Sequence, residues 1–282
     1  MIIDSHVYFG RMAHDAPRGD SGRNDQVWLP KHVKPQLDGC AVQRVIAVDA
    51  ARSAEHTRWL LKRADQSAYI GGVIGWVDLA GCDVGGQLDE FCRHPKFIGV
   101  HEVVDHEGDA DAIVQAADQG AFAELSRRHL TLDISVRSNM IARVASLAEH
   151  LASLRVTINI EPTGLDDVST TVHWADAMAR LAQDPSTFCK LPGRAAAAFV
   201  AATPQTQPSL KSFVNTMIDL FGYDRVMYAS DWPACGPGES YLQQYGAFVQ
   251  TLRPIAPADY CRVFAANAEA HYPLGDMAWF AS

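Results

Sequence analysis

Val42-Gln-Arg-Val-Ile-Ala-Val-Asp49, Ala54-Glu-His-Thr-Arg-Trp-Leu-Leu-Lys-Arg-Ala-Asp-Gln66 and Ile70-Gly-Gly-Val-Ile-Gly-Trp-Val77 stand in direct succession. The outer two are short β-rich runs of nearly continuous apolar character, as expected of parallel strands covered on both faces. The middle one carries apolar residues at three- and four-residue spacings, the pattern of a helix with one buried face. Strand, helix and strand in this order make a βαβ crossover. The alternation continues in both directions, with strands expected over Ile2–Tyr8, Phe97–Val104, Leu130–Val136, Val156–Ile160, Thr187–Leu191 and Arg225–Ser230. Helices are expected over Val33–Asp38, Gly86–Arg93, Gly120–Arg128, Asn139–Ala152, Val172–Gln183 and Ser209–Phe221, and Tyr241–Leu252 and Pro257–Ala268 close the chain. Eight βα units in 282 residues fit a single α/β domain, a closed (β/α)8 TIM barrel. No G-x-G-x-x-G follows the first strand, so a dinucleotide fold lacks its main sequence support.

Composition narrows the function classes. Hydrophobic residues make up 48% of the chain, ample for a large core. Lys and Arg number 24 against 33 Asp and Glu, a net charge of −9, and the basic residues are scattered, which argues against nucleic acid and anionic lipid as partners. No apolar run approaches the roughly 20 residues of a membrane span, and no basic leader precedes an apolar stretch at the start. A cytoplasmic, unprocessed protein is the expectation. Cys40, Cys82, Cys92, Cys189, Cys235 and Cys261 form no C-x-x-C and are expected to be reduced thiols, mostly in the core.

Three connections are long or turn-rich: Gly10–Pro30, Gly193–Pro208 and Pro233–Glu239. Each follows the C-terminal end of a strand, where barrel enzymes carry their active sites. Strict alternation turns Asp4, His6 and Tyr8 to one side of the first strand, and Asp231 directly follows the eighth, which adjoins the first in a closed barrel. An Asp and a His meeting there can hold and deprotonate a water. The plainer alternative is a turn-capping Asp231 and a satisfied core His6. Ser5 and Ser230 point the other way, and no G-x-S-x-G is present, so a serine nucleophile is not expected.

Six segments in order resemble the amidohydrolase family 2 barrels, and most nearly the branch of sugar lactonases and 2-pyrone-4,6-dicarboxylate lactonases. They are Ile3-Asp-Ser-His-Val-Tyr8, Val73-Ile-Gly-Trp-Val-Asp-Leu79, Phe97-Ile-Gly-Val-His-Glu102, Val156-Thr-Ile-Asn-Ile-Glu-Pro-Thr-Gly164, Cys189-Lys-Leu191 and Ala229-Ser-Asp-Trp-Pro233. The resemblance implies a hydrolase of a small cyclic ester. The departures bear on metal binding. Tyr8 replaces the second histidine of the family's H-x-H pair, His101-Glu102 stands where Arg-His is usual, and Pro162 takes the histidine position after strand six. The resulting expectation is a site without metal or cofactor. A single manganese or zinc held by His6, Glu102 and Asp231 is the alternative.

On this reading Asp231 is the base, His6 and Tyr8 stabilise the oxyanion, and Glu102 either protonates the leaving alkoxide or serves as an ion-pair partner. Lys190, His101, Arg137 and Arg194 are candidates to bind an anionic group of the substrate. Asp49 is a candidate for a substrate hydroxyl, Trp232 for ring stacking or packing, and Trp28, in a loop with Arg11, His14, Arg18 and Arg23, for a lid. Two other functions remain open: a non-oxidative decarboxylase, known from another branch of the family, and a catalytically silent ligand-binding barrel. A homodimer fits the family, although no interface is legible.

Overall fold

The computed structural model describes residues 1–11, 27–152, 154–161, 168–193, 210–233, 240–252, 255–272 and 274. Eight strands, β1 (Ile3–Tyr8), β2 (Arg44–Val48), β3 (Ile70–Gly75), β4 (Phe97–Val104), β5 (Thr131–Arg137), β6 (Arg155–Glu161), β7 (Thr187–Pro192) and β8 (Val226–Ala229), pair in parallel in sequence order. The sheet closes where Tyr8 N donates to Trp232 O (2.7 Å) and Asp231 N to His6 O (3.0 Å). The expected barrel is therefore the observed one.

Two layers of apolar side chains follow. Val7, Val45, Ala47, Val73 and Val100 face the helices outside the sheet, against residues such as Leu60 and Leu88. Ile3, Ile46, Val48, Ile74, Ile98 and Met227 fill the interior. Ala265, Ala268 and Tyr272, from the last helical segment, pack on this inner cluster. The chain thus plugs its own barrel.

Most expected helices are present, from Pro30–Gly39 to Tyr241–Thr251. In Ala54–Asp65, Ser53 caps the start by accepting from His56 N. Helix Glu107–Asp118 was not anticipated, because its buried face is only Ala110, Ile113 and Ala116 and makes a faint apolar stripe. Asn139–Ala152 divides into a 3-10 turn at Ser138–Met140 and short helices Ile141–Ala145 and Ala148–Leu151. The last expected helix contains a π turn at Arg262–Ala266. Of the described cysteines only Cys40 and Cys189 are buried, which corrects the expectation of mostly core thiols; all five are unpaired. Cys235 lies outside the described residues. Among those residues no helix is long and apolar enough to cross a membrane.

Two irregularities decide which side chains enter the barrel. In β1 the register slips between Asp4 and Val7, so the alternation that put Asp4 beside His6 fails. Asp4 instead faces outward, where its Oδ2 accepts from Tyr241 Oη (2.9 Å) and its Oδ1 from the backbone N of Ser230 (2.9 Å) and of His6 (3.2 Å). In β4 a slip opposite Val73/Ile74 puts Ile98 inside and Val100 outside. Gly99 permits this, since a methyl group there would lie 2.6 Å from the carbonyl oxygen of Thr131.

Asp4 fastens β1 to β8, and Asp4→Ala leaves three buried donors without an acceptor. We expect it to lower stability by about 3 kcal/mol in urea denaturation. Burial holds the Asp4 carboxyl up at about 6 against an ordinary 3.8. The raised value means that its proton favours the folded state. That contribution is complete below pH 3.8 and lost as pH rises through about 6, a step that Asp4→Asn removes.

Candidate active site

Closure of the barrel brings His6 of β1 beside Asp231, the second residue after β8. Asp231 adopts φ +56°, a left-handed conformation that is unusual for a residue other than glycine and tolerated best by Asp and Asn. Such local strain is found at sites where a side chain must be aimed. Asp231 Oδ1 lies 3.9 Å from His6 Nε2 and accepts from Asn159 Nδ2 at 3.1 Å. His6 is fully buried, and its Nδ1 lies 2.9 Å from Lys190 Nζ. Lys190, also fully buried, is ion-paired with Asp133 Oδ2. An ammonium only donates, so Nδ1 accepts and the imidazole proton resides on Nε2. Burial, followed by the charges of Lys190 and His101, holds His6 well below the ordinary histidine range. The ring is thus a neutral imidazole with an N–H facing Asp231, and Nε2 has no hydrogen-bond partner among the described residues.

His101 enters the barrel because of the β4 irregularity. Its Nδ1 donates to the Asp49 carbonyl (2.8 Å), which leaves Nε2 to accept from Ser135 Oγ (3.0 Å). Burial lowers its pKa as well, so it is a neutral spacer. The Tyr8 ring packs edge-on against His6, with centroids 4.6 Å apart. Asn159 on β6 completes the group. Its Nδ2 points to the Asp231 carboxylate, and its buried Oδ1 has no partner among the described residues. Asn159 was overlooked because a lone asparagine in a strand carries no motif. Its signal was a polar residue inside the apolar run Val156–Ile160.

The other expected site residues are placed differently. Glu102 is turned outward, paired in register with Ile134 of the outer layer. It lines a separate cavity of about 150 Å³ with Arg52, Trp76, Asp78 and Asp109. Burial raises its carboxyl to about 8 despite Arg52, with Asp109, Asp78 and Asp49 adding to the rise. It therefore does not join His6 or Asp231, which corrects the expectation of a shared acid. Asp49 is committed to His56 Nδ1 (2.8 Å) and Ala51 N (2.9 Å) rather than open to a ligand. Arg137 donates to Asp105 (2.9 Å). Trp232 packs in the outer core, and Trp28 lies edge-on against it at 5.1 Å, so Trp28 is a wall of that core rather than a lid. The hydroxyl of Ser5 is bonded to Tyr228 O and that of Ser230 to Trp232 N. Arg194, His14, Arg18, Arg23 and Pro162 lie outside the described residues.

The donor set tests the divalent ion that the resemblance leaves open. A ligating histidine presents a bare nitrogen to the metal and gives its other N–H to an acceptor. His6 has the reverse arrangement, with an ammonium at Nδ1 and the proton at Nε2. Both nitrogens of His101 are occupied, and Glu102 faces another cavity. No group of three His, Cys, Asp or Glu residues suited to a metal occurs among the described residues. The residues described do not fit the ion.

Known proteins agree with this architecture. L-fucono-1,5-lactonase of Burkholderia ambifaria is 28% identical over 98% of both chains, and that of Burkholderia multivorans is 29% identical over 85% of this chain and 84% of its own. Among solved structures, an amidohydrolase from Burkholderia multivorans with bound zinc superposes with a TM-score of 0.85 at 23% identity, covering 98% of this chain and 100% of that one. A probable 2-pyrone-4,6-dicarboxylic acid hydrolase from Acinetobacter baumannii superposes with a TM-score of 0.70 at 13% identity, over 94% of this chain and 97% of its own. Residues 3–274 match the model of the amidohydrolase family, and the chain belongs to that family.

Proposed function

We propose that this protein hydrolyses the neutral lactone of a sugar acid, with Asp231 as the base that activates water and without a metal ion. The two relatives named as lactonases support the reaction class. The observation that carries the mechanism is the pairing of the Asp231 carboxylate with the unpartnered His6 Nε2–H, 3.9 Å apart at the barrel mouth. That gap is too wide for a hydrogen bond between the two groups, and among the described residues the His6 N–H is left for a ligand.

A water held by Asp231 and by Asn159 Oδ1 loses a proton to the carboxylate as its oxygen bonds to the lactone carbonyl carbon. The carbonyl electron pair moves to oxygen, and the oxyanion accepts from His6 Nε2–H, with Tyr8 beside it. A neutral imidazole is suited to this role, because it donates without competing for the proton. Collapse restores the carbonyl and breaks the bond to the ring oxygen. The departing alkoxide takes the proton from Asp231, so no second acid is required and the outward position of Glu102 is no obstacle. The product is the open hydroxy acid.

The charges of the described barrel residues favour a neutral substrate over the anionic one expected from the sequence. The Lys190 ammonium is offset by Asp133, Arg137 is engaged by Asp105, and His6 and His101 are held neutral. Among the described residues, no cation of the barrel is then left over to hold a substrate carboxylate.

A proton-release assay over neutral aldonolactones and dicarboxylate lactones tests this reading. Wild-type protein is expected to open the neutral lactones, with dicarboxylates turned over about a hundredfold less efficiently. Asp231→Asn is expected to lower kcat/KM by about a thousandfold. Equal rates from both proteins, or a preference for dicarboxylates, contradict the proposal.

A further inference from the structure

The interior of the barrel carries more ionic machinery than the chemistry at its mouth uses. Below His6 lies Lys190, below Lys190 lies Asp133, and below Asp133 lies Tyr272, which comes from the segment that plugs the barrel. Lys190 and Asp133 are completely buried, and Tyr272 is 1% exposed. Tyr272 Oη donates to the same Asp133 oxygen that receives Lys190, at 3.0 Å. The other carboxylate oxygen, Oδ1, has no partner among the described residues. Two donors on one oxygen therefore secure this carboxylate.

We propose that Asp133 and Tyr272 are positioning residues that set the tautomer of His6. Asp133 supplies the negative charge that lets Lys190 remain an ammonium at a depth where an unpaired one is costly. The ammonium donates to His6 Nδ1, and that single hydrogen bond confines the imidazole proton to Nε2, facing Asp231. A neutral amine at position 190 would accept as readily as it donates. His6 is then free to turn into the other tautomer, with a lone pair facing the Asp231 carboxylate and no donor for an oxyanion. Tyr272 orients the Asp133 oxygen, and its own hydroxyl is placed by Thr157 Oγ1 at 3.2 Å, which in turn contacts His271 Nε2 at 2.9 Å. The C-terminal plug thereby reaches the reacting end of the barrel through four side chains in series. The catalytic consequence rests on the reading of His6 as the oxyanion donor. The tautomer assignment does not.

The test reads the two separately. In protein labelled with ¹⁵N-histidine, the resonances of His6 are identified by their loss in His6→Gln. We expect wild-type His6 to show a protonated Nε2 and a bare Nδ1. In Asp133→Asn the signal should move to the Nδ1–H form or to an exchange average, with kcat on the best neutral lactone lowered about a hundredfold or more and KM changed less than about threefold. Tyr272→Phe keeps the ring and its packing and removes one hydrogen bond. It should lower kcat about tenfold with a smaller shift in the same direction, and it keeps the question decidable if Asp133→Asn fails to fold. A wild-type His6 protonated at Nδ1 overturns the proposal, as does an unchanged Nε2–H tautomer in folded variants. A wild type with the expected tautomer and no lactone turnover would refute the proposed reaction while leaving the tautomer assignment standing.

Discussion

The seam between the first and last strands is the constraint on which the rest of the site depends. His6 and Asp231 are separated by nearly the whole chain, and they meet because β1 exchanges backbone hydrogen bonds with Asp231 and Trp232, just past β8. Asp4 secures that exchange from outside, its carboxylate accepting from the backbone of His6 in β1, of Ser230 just past β8, and from Tyr241 of a flanking helix. The register slip that turns Asp4 outward also leaves His6 and Tyr8 inside. One local irregularity thus serves both closure and chemistry.

Among the described residues, the buried charges beneath His6 offset each other. Lys190 and Asp133 cancel each other, and burial keeps the two central histidines neutral. In a metal site, an ion supplies the positive charge that polarises a carbonyl. In the proposed mechanism an oriented N–H dipole does so, held in place by an ion pair. Such a dipole has value only if it is fixed before the substrate arrives. The buried network under His6 accounts for that rigidity.

The architecture was legible because parallel barrel strands are nearly continuous apolar runs and their order needs no long-range information. Strand ends differ from the sequence expectation by at most two residues. The site was legible only in part. His6 and Asp231 follow from strand adjacency, which closure guarantees. Glu102 was misplaced because an irregularity in β4 changes which residues face inward, and nothing in Phe97–Val104 announces it except Gly99. Asn159, Asp133 and Tyr272 were passed over because each acquires meaning only from a neighbour on a different strand or segment. Lys190 reads from the sequence as a cation for the substrate, whereas its charge is taken up by Asp133. The helix Glu107–Asp118 was missed for a different reason, since alanines on a buried face leave little periodic signal.

The central claim is that Asp231 and His6 carry out lactone hydrolysis without a metal. The most direct measurement is the turnover of a neutral aldonolactone by protein dialysed against a strong chelator, with its residual metal content determined on the same sample. The account predicts undiminished kcat at a metal content far below one ion per chain, and no gain on adding manganese or zinc. Activity that falls in proportion to the metal removed and returns with either ion would contradict it.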